Sequence, residues 1–306
     1  MMRHLLLLLL LPGCLVGTIL RRNLGALVTP PRTIDHRITT PRRPDVRLAV
    51  LWVGHATTLI QLDDRFILTD PVFTQTVGAG FSRRLVEPGI ALDSLPPIDV
   101  ALVSHLHLDH LSLGTLELLG PAVHQLLLPS GGLVYVPDQR FPTDEVECWH
   151  TFEQGDLRVT AVPVRHPGYR YGVDTAWMTQ SATGWVVEYH GLTVYFGGDT
   201  AFDAERFRQT AARFPKIDLA LLPIGPVEPP GFARETHLDG REALQAFLEL
   251  GAAHLVPIHY DTFAHGIDEP GTAVALLTRA MRELGLQEDR VHVLPIGGRW
   301  GFTPSP

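Results

Sequence analysis

Cysteine is nearly absent from this 306-residue chain; Cys14 and Cys148 are the only two, too few for a disulfide framework. Lysine is rarer still, with Lys216 standing alone among 25 basic residues. The net charge of −8 offers no basic face of the kind nucleic acid requires, so no nucleic-acid partner is expected. Charged residues make up only 19% and no short period runs through the chain, which excludes coiled-coil and collagen-like architectures. An apolar content of 45% fits a globular domain and neither a disordered nor a multi-span membrane protein. What the chain has in excess is histidine, 15 residues in all.

A single long apolar run stands at the start. Leu5 to Leu11 are consecutive leucines behind Arg3 and His4, and the stretch continues to Leu20 before Arg21 and Arg22. That length is right for a signal peptide and just short of the roughly 17–25 residues of a spanning helix. Leu11-Pro12-Gly13-Cys14 resembles a bacterial lipoprotein cleavage box, which would make Cys14 the lipidated N-terminus. An uncleaved anchor helix and an ordinary signal peptide remain open, and arginines on both sides leave the orientation open too. The lipoprotein and anchor readings place the protein in a bacterial cell envelope, membrane-associated through residues 1–20, with the domain expected on the periplasmic side. Residues 21–47, rich in arginine and proline, read as a linker that threads onto the domain surface. With Cys14 set aside, Cys148 is left unpaired.

From residue 48 to 306 the pattern is that of one domain, with no linker dividing it. Strands are expected at Leu48–Val53, Thr58–Leu62, Phe66–Leu68, Val100–Ser104, Gln125–Leu128 and Val159–Val164. More follow at Trp185–Tyr189, Leu192–Phe196, Leu219–Leu222, His254–Pro257 and His292–Leu294, with a hairpin turn at His190-Gly191. Helices are expected at Ala204–Phe214, from the Asp239/Glu242 capping pair to about Leu250, and at Thr272–Leu284. Sheets covered by helices, an α/β layered domain, are the predicted fold class.

The histidines cluster. Behind the apolar strand ending at Ser104 comes His105-Leu106-His107-Leu108-Asp109-His110. In an extended segment residues two apart point the same way, so His105 and His107 can share one ion while Asp109 and His110 face a second. Imidazole and carboxylate without thiolate suit zinc, manganese or iron.

This hexapeptide resembles the signature of the metallo-β-lactamase-fold superfamily, whose domains are four-layer αβ/βα sandwiches. The resemblance extends from about Leu51 to Arg299. It implies two divalent metal ions, most simply zinc, with His166, Asp199 and His259 completing the ligand set and Asp199 bridging. The segments Leu51–Thr57, Leu68–Phe73, Asp218–Gly225, Glu228-Pro229 and Thr236–Asp239 are similar to the branch that contains N-acylphosphatidylethanolamine-hydrolysing phospholipase D. The ascorbate-phosphate lactonase group lies near that branch. His259 is followed by Tyr260-Asp261 and His166 by Pro167-Gly168-Tyr169-Arg170, where this chain departs from the phospholipase. Those loops, and Pro226–Thr236, are where specificity would lie.

On this reading a hydroxide held between the ions is the nucleophile. Asp109 and His237 are the candidate catalytic residues, His237 as a donor to substrate or leaving group or, alternatively, as a cap of the helix at Asp239. Asp70 would hold a ligand imidazole by its second N–H; His55 would act similarly or serve only a turn. His4, His36, His124, His150, His190, His254, His265 and His292 fit no pattern. Three functions follow, in order: a phosphodiesterase of phospholipase D type acting on a small-molecule or phospholipid substrate, a lactonase or β-lactamase-like hydrolase, and a non-catalytic metal-binding envelope protein. Against a true β-lactamase stands the absence of a cysteine near Gly197-Gly198.

Overall fold

The structure is a computed structural model that describes residues 25, 29–35, 37–78, 82–137, 141–263 and 267–303. Cys14 and the apolar run of residues 5–20 lie outside the described residues. Among the described residues no helix is long and apolar enough to cross a membrane.

The strands, in chain order, begin with β1 (Leu48–Gly54), β2 (Thr57–Leu62), β3 (Arg65–Thr69), β4 (Thr76–Val77), β5 (Ser82–Arg83), β6 (Val100–Leu102), β7 (Leu126–Pro129) and β8 (Thr143–Val146). They continue with β9 (Thr151–Gln154), β10 (Leu157–Val162), β11 (Gly184–Tyr189), β12 (Leu192–Phe196), β13 (Leu219–Pro223), β14 (His254–Ile258) and β15 (Arg299–Phe302). The helices are α1 (Leu113–Leu119), α2 (Ala204–Arg213), α3 (Pro230–Ala233), α4 (Gly240–Leu250) and α5 (Thr272–Leu284). One sheet runs β15-β1-β2-β3-β6-β7-β8 and the other β14-β13-β12-β11-β10-β9, while β4 and β5 pair separately. Each large sheet is antiparallel on one side and parallel on the other.

Both faces of the sheets are covered, which is why their strands read as unbroken apolar runs. In β1, Leu48, Val50 and Trp52 join the core between the sheets, while Leu51 and Val53 join a second cluster with Leu116 and Leu119 of α1. Phe207 of α2, Leu244 and Phe247 of α4 and Leu277 of α5 close the far side against the other sheet. The layers are therefore helix, sheet, sheet, helix in one domain, as expected. The helix α4 opens with the predicted capping box, Asp239 accepting from Glu242 N while Glu242 accepts from Asp239 N.

Two details differ from expectation. His292–Leu294 is not a strand; the backbone there pairs with β14 only through the bridge of Leu255 to Val291, Pro295 follows, and the last strand is β15, on the edge of the other sheet. Pro295 fits that break, because the residue ahead of a proline is restricted and the proline itself donates no hydrogen bond. The helix α1 and the strands β8 and β9 carry too weak a periodicity to be seen in sequence. Cys148 is a free thiol.

The described part of the arginine-rich stretch lies on the domain. Arg32 and Ile38 bridge to Val86 and Ile90, Arg37 pairs with Glu87, and Arg47 Nη2 donates to Asp63 at 2.7 Å. One end of the sandwich collects the carboxyl-terminal ends of β1, β3, β6, β10, β12 and β14, and the histidines and aspartates follow there.

Candidate metal centre

The residues that follow those strand ends converge. His55 comes directly after β1, Asp70 after β3, His105–His110 after β6, His166 after β10, Asp199 after β12 and His259 after β14. Their donor atoms form four overlapping groups within 4.8 Å: His105 with His107 and His166; His55 with Asp109, His110 and His259; Asp70 with His105 and His110; and His166 with Asp199 and His237.

Asp199 sits where the groups meet. Its Oδ2 is 3.2 Å from His110 Nε2, 3.1 Å from His237 Nε2 and 3.9 Å from both His105 Nε2 and His166 Nε2. Its Oδ1 is 3.2 Å from His259 Nε2. The backbone that delivers it demands glycine: Gly198 has a φ of +56°, and a Cβ there would stand 2.3 Å from Ser104 Cβ. His55, Asp70 and His259 also hold left-handed backbone, with φ of 57°, 33° and 63°. Left-handed backbone costs a residue with a Cβ roughly 1–2 kcal/mol, a strain that concentrates at functional sites.

The outer nitrogens of the imidazoles are tied down, which fixes what the inner ones can do. His166 Nδ1 donates to Thr236 O at 2.8 Å and His259 Nδ1 to Gly225 O at 2.9 Å. Each therefore turns a lone pair at Nε2 toward Asp199. His110 Nδ1 is 2.6 Å from Asp70 Oδ2, and Ser104 Oγ, itself bonded to Asp70 at 2.6 Å, lies 3.0 Å from His105 Nδ1. His107 faces inward through Nδ1, 2.8 Å from His105 Nε2 and 3.3 Å from His166 Nε2.

Such a convergence of lone pairs tests whether a cation fits. His110 Nε2, His259 Nε2 and Asp199 Oδ1 are fully buried and none makes a hydrogen bond of good geometry. A buried polar atom without a partner costs about 1–3 kcal/mol, so three facing one another call for a shared positive charge. Burial pushes the imidazoles of His55 and His105 well below the usual histidine range and that of His166 down to about 3. They stay neutral, as metal ligands must. Burial opposes charge on His110 as well, but Asp199, Asp109 and Asp70 outweigh it and push that group well up. Burial works against ionised Asp199, and His259, His110 and His237 more than offset it, holding the carboxyl well down. The residues fit a cation site.

Every candidate site residue within the described part is thus gathered at one place. His55 stands closer in than a turn residue needs to, with Nε2 2.9 Å from Asp109 Oδ2 and its ring 3.9 Å from that of His259. His237 does not cap α4, since Asp239 does; its Nδ1 is 2.9 Å from Thr236 Oγ1 and its Nε2 faces Asp199. The Pro226–Thr236 loop reaches His166 through Thr236, and Tyr169 packs its ring 4.9 Å from that of His107. Sequence reasoning gave Ser104 no role and named Arg170 only within a loop expected to carry specificity. Neither has a signal of its own, since one is a hydroxyl before a motif and the other one arginine among many. It also passed over the pairing of His254 Nδ1 with His292 Nε2, 3.2 Å apart and 38 positions apart in sequence.

Comparison with known proteins shows the family. The family model described as beta-lactamase superfamily domain matches residues 65–260. An uncharacterized protein of Mycobacterium tuberculosis is 34% identical over 229 residues, covering 71% of this chain and 59% of that protein. The N-acyl-phosphatidylethanolamine-hydrolyzing phospholipase D 1 of Caenorhabditis elegans is 29% identical over 240 residues, covering 72% of this chain and 66% of that one. The chain thus spans less than two thirds of either relative. A metallo hydrolase of Ignicoccus hospitalis shares the fold at a TM-score of 0.60 and 20% identity, over 84% of this chain and 99% of its own.

Proposed function

The chain belongs to the beta-lactamase superfamily, and from that membership we propose that it is a metal-dependent phosphodiesterase of phospholipase D type. The observation that carries the proposal is the convergence on Asp199 of buried ring nitrogens with their outer nitrogens already bonded. His105, His107 and His166 would hold one divalent cation, Asp109, His110 and His259 a second, with Asp199 between them. Two such cations, zinc or alternatively manganese or iron, would lower the pKa of a water toward neutrality and offset charge on the attacked phosphoryl group.

The chain's own groups do the rest. Asp109 and His237 keep some exposure, 17% for each side chain, so substrate arrives on their side. Water adds to phosphorus and the bond from phosphorus to the leaving alcohol oxygen breaks. The water's proton passes to Asp109, His237 Nε2–H hydrogen-bonds the departing oxygen, and the proton held by Asp109 is then handed to that oxygen to complete the alcohol. His55 holds Asp109 oriented, and Asp70 holds His110.

The preference for an amphiphilic substrate rests on the loop beginning at Tyr169. Tyr171, Val173 and Trp177 are exposed along it, an apolar rim on the loop whose Tyr169 packs against His107. Exposed apolar groups in one patch mark a contact surface. The similarity to the nematode phospholipase supports the same class. A membrane attachment through residues 1–20 would hold the site at the lipid surface of the cell envelope; the mass of the mature N-terminus checks it, a lipidated Cys14 or an intact Met1 supporting attachment. The function is tested by assaying the full-length protein, with added zinc or manganese, on an aryl phosphodiester, an acyl homoserine lactone and a cephalosporin. Turnover of the phosphodiester is expected; turnover of either other substrate alone would replace this reading with a lactonase or β-lactamase.

A further inference from the structure

Arg170 is buried, 7% exposed, yet points at no side chain of the centre. Its Nη1 donates to Leu106 O at 3.0 Å and to Leu111 O at 2.9 Å. Those two carbonyls bracket His107, Leu108, Asp109 and His110, the turn that is closed internally by the bonds of His110 N and Leu111 N to His107 O. The other imidazoles are anchored one by one, to Ser104, Asp70, Thr236 and Gly225, while His107 depends on where this turn lies and Asp109 on the turn together with His55. One guanidinium clamps both ends of it.

The clamp is itself held from outside. Asp174 accepts from Arg170 N at 2.8 Å and from Tyr171 N at 2.9 Å, and Tyr135 Oη donates to the same carboxylate at 2.6 Å. Gly168 O accepts from Leu106 N at 3.3 Å, and Gly168 lies so near Ser181 that a Cβ would stand 2.2 Å from its carbonyl carbon. The segment from Gly168 to Tyr171 therefore has no room to slide along the turn. The apolar rim, Asp174, Arg170 and the ligand turn form one connected piece.

We infer that Arg170 is a positioning residue that sets the affinity of the centre for its cations by fixing the 107–110 turn. It rests on the proposed metal centre, acting through the backbone and not on the reacting atoms. Both bonds leave one nitrogen of a rigid, planar guanidinium, whereas the lysine ammonium sits on a shorter, flexible stem that does not carry a donor to the same point. Arg170→Lys thus keeps the charge and loses the bracket. Loss of an outer support of this kind lowers metal affinity about 10- to 100-fold.

The test is cobalt(II) binding to the full-length protein, read by competition with a chromophoric chelator and by the visible absorption of the bound ion, alongside thermal unfolding. Arg170→Lys is expected to bind cobalt at least about tenfold more weakly, with an altered visible spectrum, while still unfolding cooperatively. Tyr135→Phe, which loosens the clamp from outside by one hydroxyl, is expected to shift affinity a few-fold the same way. A folded Arg170→Lys protein with wild-type affinity and spectrum overturns the inference. If that variant does not fold, Tyr135→Phe decides, and an unchanged affinity there overturns it as well. Wild-type protein that takes up no cobalt refutes the metal centre itself, a result distinct from normal uptake left untouched by the substitution.

Discussion

Asp70 and His110, 40 positions apart in sequence, share a hydrogen bond of 2.6 Å between Oδ2 and Nδ1, with both side chains fully buried. The same carboxylate accepts from Ser104 N and Ser104 Oγ, each at 2.6 Å, so it orients His110 directly and His105 through the serine. An amide in its place keeps the shape but offers one acceptor where two are used. Asp70→Asn is expected to fold and to lose about 10- to 100-fold in metal affinity, measured by chelator competition. Wild-type affinity in that variant would show that the two imidazoles do not need Asp70.

Asp199 is the carboxylate that lies within 4 Å of His105, His110, His166, His237 and His259 together. Asp199→Asn preserves volume and removes the charge those groups share. Activity on the phosphodiester is expected to fall at least about a hundredfold, the scale of losing one electrostatic contact to the transition state. Circular dichroism should remain that of the folded protein. Undiminished turnover would remove Asp199 from the centre of the mechanism.

Much of this was legible in sequence because it is local. His105 to His110 lie in one hexapeptide behind one strand, and the buried strands around them are unbroken apolar runs. His166, Asp199 and His259 stand just past such runs too. What escaped notice depends on distant chain segments meeting. Arg170 matters only because the chain returns from β10 to the 105–110 turn, and His254 meets His292 only because the stretch after α5 runs alongside β14. The mistaken strand at His292–Leu294 has the same origin. Its alternation is real, but the edge it could pair with is reached by a single bridge before Pro295 turns the chain away. His55 was half legible, since a histidine after a strand and before Ala56-Thr57 serves a turn and a site equally well.

The apolar rim predicts an interface effect separable from chemistry. Val173 and Trp177 are 79% and 63% exposed. Replacing both with Asp should leave turnover of a soluble aryl phosphodiester within about twofold and lower the rate on phospholipid vesicles about tenfold or more, because charge at an interfacial position is repelled by hydrocarbon. Equal losses on both substrates would mean that the loop supports the site and not the approach of lipid.

The pairing of His254 with His292 predicts a loss of stability in acid. Burial pushes His292 down to about 4, with His254 adding to the shift, and His254 is itself lowered by burial. Both prefer to be neutral in the fold, His292 also stacking its ring 4.3 Å from that of Trp300. The unfolded chain binds a proton at its ordinary histidine value near 6.5, whereas the folded chain resists protonation until lower pH. Stability from this source is therefore complete above about pH 6.5 and is lost as pH falls from there toward 4. Because His292 is only partly buried, the full shift overstates the energy, and about 1 kcal/mol is the discounted figure. His292→Gln removes the titration while keeping a planar polar group. Urea unfolding of wild-type and variant at pH 7.5 and pH 4.5, with the same metal present, isolates it from the acid response of the metal centre. Wild type should lose about 1 kcal/mol more than the variant between those pH values; equal losses would mean that the pair is protonated in the fold as readily as in the open chain.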